Sequence, residues 1–573
     1  MDSKQKKVLL CIMGFVLLVW SIFSFAISKR EPDFPLSSDP LIFNAANAYR
    51  ITQEFVTGNP RRVIGSIESR QSTAYLHDHL DRLGYQVSYS HFDASIGKRK
   101  EVGRNILAFK QGQTSGIIVL AAHYDTARTT VQGAMENGAG VGVLLELARI
   151  LASKPTTRSI LLVFSDGEEW GMLGTRELIS SYPQHDRFIA ALSLDHVSVG
   201  SLAAVCLQTT GQIEGFSPPW LRQVAAQAAQ ASNLPVLSPS GLREHFERAL
   251  LISLADQGPF LKAGIPAINL GSESTDRSFE KSVYHSPGDI IDNLKLSSFE
   301  QYGRAAEKIL YSLDDLVSIP RESSGFFRLG NSFYLHPVSI TVLHVILFLP
   351  PVLIFFFCLK NYSSELSAAV IVREALTYLA IAFPFLAFYF LIGLCRALRL
   401  LPIYSFYPPK DLLIENTNWG VLTAILGTAL FVAAICCSAV LFSYRRTPKP
   451  DYHVSKIVLL GISVILIALS LLYNSYWATL FLVIPTWIWA LAEKGGKIRS
   501  KTARWALMIG AGIPYYIFLW VLGSQLSLSW NLIWYQVLAL NSGIFTSTGF
   551  FLGVAAIALG LRFLAIQPSA ASL

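Results

Sequence analysis

The sequence predicts an α/β domain, built on a mixed, mostly parallel sheet flanked by helices, joined to a C-terminal all-α polytopic membrane domain. Two observations carry this. Up to about residue 335, short β-prone apolar runs alternate with segments of helical spacing; beyond it the chain is a series of long apolar stretches. At 573 residues the chain exceeds one ordinary domain, and 52% hydrophobic against 15% charged residues is unusual for a soluble protein. The boundaries expected are 1–30 for a cytoplasmic tail and N-terminal anchor, 31–335 for an extracytoplasmic domain, and 336–573 for a membrane domain of about seven further spans.

Taken in order, Val8–Ile27 is apolar and flanked by Lys6, Lys7, Lys29 and Arg30. It approaches the ~20 residues a spanning helix needs. It is also longer than a usual signal-peptide core and lacks an Ala-x-Ala site, so an uncleaved anchor with a cytoplasmic N-terminus is expected. Gly116–Ala122 reads as a strand ending at His123-Tyr124-Asp125, and Gly140–Ala152 as a helix. Ser159–Phe164 is a second strand, ending at Asp166-Gly167-Glu168-Glu169. Ala190–Leu194 is a third, ending at Asp195, and Ala267–Leu270 a fourth, followed by Tyr284-His285 and Asp289. The further spans are drawn at 338–359, 371–395, 419–443, 457–473, 477–492, 505–523 and 544–562. Trp530–Leu540 is too short to span comfortably and reads as interfacial or re-entrant.

Charge supports this topology. The net charge of +8 gathers beside the spans: Lys4, Lys6 and Lys7; Arg445, Arg446, Lys449 and Lys456; and Lys494, Lys497, Arg499, Lys501 and Arg504. Counting spans from an exterior residue 335 puts both later clusters inside, as the positive-inside rule requires. Cations spent on topology exclude a nucleic-acid partner and leave the lipid bilayer as one. Cys206 stands alone in the soluble part, so no internal disulfide and no cysteine-paired zinc site can form there. That part also has no Asn-x-Ser/Thr sequon, which favours the periplasmic side of a bacterial inner membrane over an endoplasmic reticulum lumen. Arg373 and Glu374 lie near a span end and His344 within one; His344 reads as a packing residue, and no transport signature is found.

Three successive strands end on histidine or acidic residues, and in such sheets ligands gather at the carboxyl ends of strands. Imidazole and carboxylate together suit zinc without any thiolate. Two metals a few ångströms apart need a bridging carboxylate and about two further ligands each. His123, Glu169, Asp195 and His285 can be those outer ligands, with Glu136 the bridge. Asp125, two residues beyond His123, can accept the other imidazole N–H and fix the ring. Of the adjacent pair, Glu169 is free for metal and Glu168 for general-base catalysis. Asp256 is a candidate supporting residue behind the site or a substrate contact, and Tyr284 is a candidate substrate contact. His196 and His245 fall outside the pattern and read as surface or packing residues.

His123-Tyr124-Asp125, Glu136-Asn137-Gly138-Ala139-Gly140, Asp166-Gly167-Glu168-Glu169, Leu194-Asp195 and Tyr284-His285-Ser286-Pro287-Gly288-Asp289 resemble, in order and spacing, the co-catalytic zinc aminopeptidases of peptidase family M28. The resemblance covers roughly residues 40–315, and the membrane layout is similar to the endoplasmic reticulum metallopeptidase branch. It implies that His123 and Asp195 hold one zinc, Glu169 and His285 the other, and that Glu168 is the base. It further implies release of N-terminal residues from peptides with a free N-terminus, with two zinc ions per chain expected and one possible. Glu136 departs from the family, which normally has Asp at the bridge, and Gln257 stands where relatives commonly carry His. Two alternatives stay open: a single-zinc glutaminyl cyclase, which shares the fold, and a non-catalytic peptidase-like membrane scaffold. Oligomeric state is not readable from the sequence.

Overall fold

The computed structural model describes residues 3–30, 34–96, 99–320, 324–330, 333–402, 418–446, 452–491, 501–525, 528, 531–543 and 547–566. Lys449, Lys494, Lys497, Arg499 and Trp530, singled out above, lie outside them. The chain divides into a unit comprising Lys29–Leu335 and one comprising Met1–Ser28, His336–Ile403 and Leu412–Leu573.

The chain begins with helix α1 (Ser3–Ile27) and the short strand β1 (Lys29–Arg30). There follow α2 (Ala45–Gly58), α3 (Ile67–Arg82), β2 (Gln86–Ile96), β3 (Arg99–Lys110), β4 (Ile117–His123), α4 (Ala139–Ser153), β5 (Ser159–Ser165), α5 (Leu173–Ser181) and β6 (Phe188–Leu194). Then come β7 (Leu202–Gln208), α6 (Pro219–Ala231), β8 (Val236–Leu237), α7 (Gly241–Leu250), α8 (Gln257–Lys262), β9 (Ala267–Ser274), α9 (Arg277–Val283) and α10 (Leu296–Asp314).

Eight strands form one mixed sheet in the order β2-β3-β5-β4-β6-β9-β7-β8. Its centre, β5-β4-β6-β9, is parallel; β3 runs antiparallel to β2 and β5, and β7 runs antiparallel to β9 but parallel to β8. The central strands are apolar on both faces because both are covered by helices. On β4, Ile118, Leu120 and Ala122 join a core with Val56 of α2, Leu144 of α4 and Tyr302 of α10. The alternate residues Ile117, Val119 and Ala121 join a second core with Leu178 of α5 and Phe260 of α8. Every β4 residue from Ile117 to Ala122 is wholly buried, each large side chain stabilising the sheet by about 1.5–3 kcal/mol. The hairpin β2–β3 was not read from the sequence: β2 is half exposed and rich in Ser, His and Asp.

Helix starts follow local chemistry. The Asn44 side chain accepts the Asn47 N–H at the start of α2, and Ser66 accepts Ser69 N–H at α3. Helix α4 is buried nearly all round and lies close on α2: a Cβ at Gly142 would stand 2.0 Å from Thr52 Oγ1.

The second unit is helical. Among the described residues, four helices are long and apolar enough to cross a membrane: Pro337–Glu365, Ala368–Ala397, Trp419–Ala439 and His453–Tyr473. The stretch 505–523, drawn as one span from the sequence, is two helices, Lys501–Gly510 and Ile513–Gln525, with the helix interrupted at Ala511–Gly512. His344 is buried with Tyr476 edge-on at 4.9 Å. Glu374 is also fully buried, paired with Arg562 at 2.5 Å across two helices. That pairing, between residues 188 apart in sequence, is invisible in either span alone.

Candidate metal centre

The three central strands deliver their C-terminal residues to one place. In register, His123 of β4 lies opposite Ser165 of β5, and Ala121 opposite Ser193 of β6. The residues just past β5 and β6, the 166–169 turn and Asp195, therefore flank His123. Gly167 takes φ of +72°, a conformation glycine adopts at no steric cost, and turns the chain so that Glu168 and Glu169 follow the strand directly.

His123 Nε2 is the hub. It lies 3.3 Å from Asp195 Oδ1, 3.7 Å from Glu136 Oε1 and 3.9 Å from Glu168 Oε2. His123, Glu136 and Asp195 each offer a ligand atom within 4.8 Å of the others'. One imidazole and two carboxylates, all buried, converging at this spacing fit the donor set of a zinc ion. Glu169 and His285 form a second pair, with Oε1 and Nε2 3.2 Å apart. Tyr284 stacks on the His285 ring at 4.0 Å and walls that side.

Behind this layer stand groups that hold it. Asp125 Oδ1 and Oδ2 accept the backbone N–H of Glu168 and Glu169, at 3.1 and 3.2 Å, while His123 Nδ1 is 3.4 Å from Oδ1. Asp125 thus clamps the acidic turn as well as facing the ring. Asp289 accepts Met135 N–H at 2.6 Å and Glu136 N–H at 3.2 Å. Buried Arg62 donates to the carbonyls of Tyr124, Gln132 and Gly133, and Asn137 Nδ2 to Leu194 O. The loop carrying Glu136 is therefore tied to the ends of two strands.

Asp256 stands behind this layer, where its charge helps to raise the Glu168 carboxyl. It is 1% exposed, and its oxygens accept the Ser165 and Thr175 hydroxyls at 2.7 and 2.5 Å, so it braces β5 against α5. His245 packs edge-on to Phe327 at 6.3 Å. His196 differs from expectation more sharply. It is neither a surface nor a mere packing residue: Nδ1 lies 2.6 Å from Glu136 Oε2 and Nε2 2.9 Å from Glu280 Oε1. Its place immediately after Asp195 was the one available signal.

Electrostatics divides these groups. Burial pushes the Glu168 carboxyl well above the usual range, with Asp195 and Glu169 adding to it against the opposing pull of His123. Asp195 is pushed to about 7 by burial and by Glu136. Burial works against charge on both Glu136 and His196, yet each holds the other charged. Glu136 lies well below the usual carboxylate range, and His196, flanked by Glu136 and Glu280, well above the usual imidazole range. A carboxyl of raised pKa beside charged neighbours is the pattern expected of a proton-transfer group.

Residues 105–310 match the model of Peptidase family M28. That segment of the chain belongs to the family. Among curated relatives, Aminopeptidase YwaD of Bacillus subtilis is 25% identical over 37% of this chain and 45% of its own length. A vacuolar membrane protease of Schizosaccharomyces japonicus is 26% identical over 38% of this chain and 24% of its own. The chain spans about half the length of the first curated relatives it matches. A solved glutaminyl cyclase of Porphyromonas gingivalis is 24% identical, with a TM-score of 0.40, over 48% of this chain and 99% of the other.

Proposed function

We propose that this M28 chain is a membrane-anchored zinc aminopeptidase that releases N-terminal residues from peptides. The observation that carries the reading is the convergence of His123, Glu136 and Asp195 on one point with Glu168 beside it, at strand ends where an α/β sheet binds ligands. His123, Glu136 and Asp195 would hold one zinc and Glu169 with His285 the other, and bound zinc would lower the pKa of a water and polarise the scissile carbonyl. Glu168, buried and held by its backbone to Asp125, is placed to take a proton from the attacking water and return it to the leaving amine. Asp125 keeps Glu168 and Glu169 at a fixed spacing, so the base and the neighbouring ligand point separately. Asp289 and Arg62 fix the loop that presents Glu136. The name of the Bacillus relative supports a preference for free N-termini.

For the whole chain we infer the arrangement that the charge pattern favours. The anchor has its N-terminus in the cytoplasm, the domain of residues 31–335 lies outside it, on the periplasmic side of a bacterial inner membrane, and the helices from 336 on hold it to the bilayer.

Zinc content of the purified full-length protein, with release of p-nitroaniline from a panel of aminoacyl-p-nitroanilides, tests the reading. Bound zinc, turnover, and loss of 10²–10⁴-fold of that turnover in Glu168→Gln at unchanged zinc content are expected. Absence of zinc and of hydrolysis across the panel would point to the scaffold. One zinc with cyclisation of N-terminal glutamine would point to a cyclase instead, which the one three-donor cluster found among the described residues would also suit.

A further inference from the structure

Glu136 is held by both carboxylate oxygens, and the second holder is not a member of the metal cluster. Oε1 faces His123, whereas Oε2 meets His196 Nδ1 at 2.6 Å. The other nitrogen of His196 meets Glu280 Oε1 at 2.9 Å, and Glu280 Oε2 accepts the N–H of Ser274 at 3.2 Å. The His196 carbonyl accepts both the N–H and the hydroxyl of Ser272, each at 3.0 Å. His196 sits at φ of +60°, turning its ring back onto Glu136. A strap thus runs from the backbone of β9 through Glu280 and His196 to one oxygen of Glu136. In the two-oxygen bridge, a carboxylate gives one oxygen to each of two ions. Here one oxygen is already committed to a charge-assisted hydrogen bond. Among the described residues one group of three ligands is found, and it contains Glu136 with His123 and Asp195 but neither Glu169 nor His285.

We propose that His196, braced by Glu280, is a positioning residue that reserves one oxygen of Glu136 and makes the centre bind its metals unequally. The half made by His123, Glu136 and Asp195 fills first; the half made by Glu169 and His285 fills about tenfold or more weakly. The inference rests on the zinc-peptidase reading and concerns the division of labour within that site.

The test uses the full-length protein in detergent, stripped of metal and titrated with zinc against a chromophoric chelator. A parallel titration with Co²⁺ is followed by visible absorption. Wild type is expected to take up metal in two steps separated by about tenfold or more, or in one step only. His196→Ala frees the second oxygen and narrows that ratio by about tenfold, with a changed Co²⁺ spectrum at the first equivalent. His196→Asn keeps a donor in place of Nδ1 and tolerates the positive φ; the wild-type ratio is retained. Glu280→Ala, leaving His196 unbraced, falls between.

Two equivalent ions in wild type overturn the inference and leave the peptidase reading standing. So does a ratio unmoved in a cooperatively unfolding His196→Ala protein. If His196→Ala does not fold, an unmoved ratio in Glu280→Ala overturns it. No metal uptake by wild type overturns both readings together.

Discussion

Asp289 holds Glu136 by its backbone, and replacing it should loosen metal binding. Its two oxygens accept the N–H groups of Met135 and Glu136, at 2.6 and 3.2 Å, in a wholly buried position. Asp289→Ala leaves both donors without that acceptor. Hydrogen bonds to a charged acceptor are each worth about 1.5–3 kcal/mol, so a loss of roughly 3 kcal/mol or more is expected. For a unit spanning Lys29–Leu335 that lowers Tm by about 5 °C. The metal effect is separable. Groups that orient a ligand change affinity by about 10–100-fold. At a zinc concentration 100 times the wild-type Kd, wild type gains about 2.7 kcal/mol. At the same concentration a variant tenfold weaker gains about 1.4 kcal/mol, and one a hundredfold weaker about 0.4 kcal/mol. Scanning fluorimetry at pH 8, where Asp289, raised to about 6 by burial, is ionised, measures both quantities with and without zinc. A variant that is destabilised but gains as much from zinc as wild type would refute the claim that Asp289 presents Glu136.

Three further outcomes follow from the same coordinates. Glu244 is fully buried between Arg222 at 3.1 Å and Arg248 at 2.8 Å; Glu244→Ala strands two buried guanidinium groups and should cost about 3–5 kcal/mol in chemical denaturation. Asp166, buried and beside Asp125, is raised to about 8. A carboxyl raised above its unfolded value contributes stability that is present in full below pH ~4 and lost as pH rises towards ~8. Asp166→Asn should flatten that fall in a series of unfolding midpoints, and an unchanged slope would count against the burial of its charge. Gly142→Ala should destabilise by about 1–3 kcal/mol, although Ala is ordinarily the better helix former by about 1 kcal/mol. The added Cβ would meet Thr52 Oγ1 and, at 2.8 Å, the Ala48 carbonyl, which cannot swing aside. A stabilised variant would show that α2 gives way.

Much of the fold was legible because its centre is simple physics. Strands covered on both faces are apolar through their middles, so β4, β5 and β6 stand out as short, nearly unbroken runs. Their ends were legible too, because buried histidine and carboxylate at strand termini need a reason to be there. The hairpin of β2 and β3 escaped, since a half-exposed edge mixes polar residues into the pattern. The break at Ala511–Gly512 and the Glu374–Arg562 pair escaped for another reason: hydropathy records how apolar a stretch is, not whether its helix is continuous or what its charges meet.

The sequence by itself pointed to His123, Glu168, Glu169 and Asp195, because each stands at or just past the end of a strand whose direction and burial are set locally. It did not determine how the oxygens of Glu136 are shared. That depends on His196, 60 residues away, and on Glu280, a further 84 residues on. No local periodicity relates positions so far apart, and a histidine next to a ligand looks the same whether it packs, ligates or restrains. Only the tertiary structure, by bringing the end of β6 and helix α9 against the loop before α4, decided that it restrains.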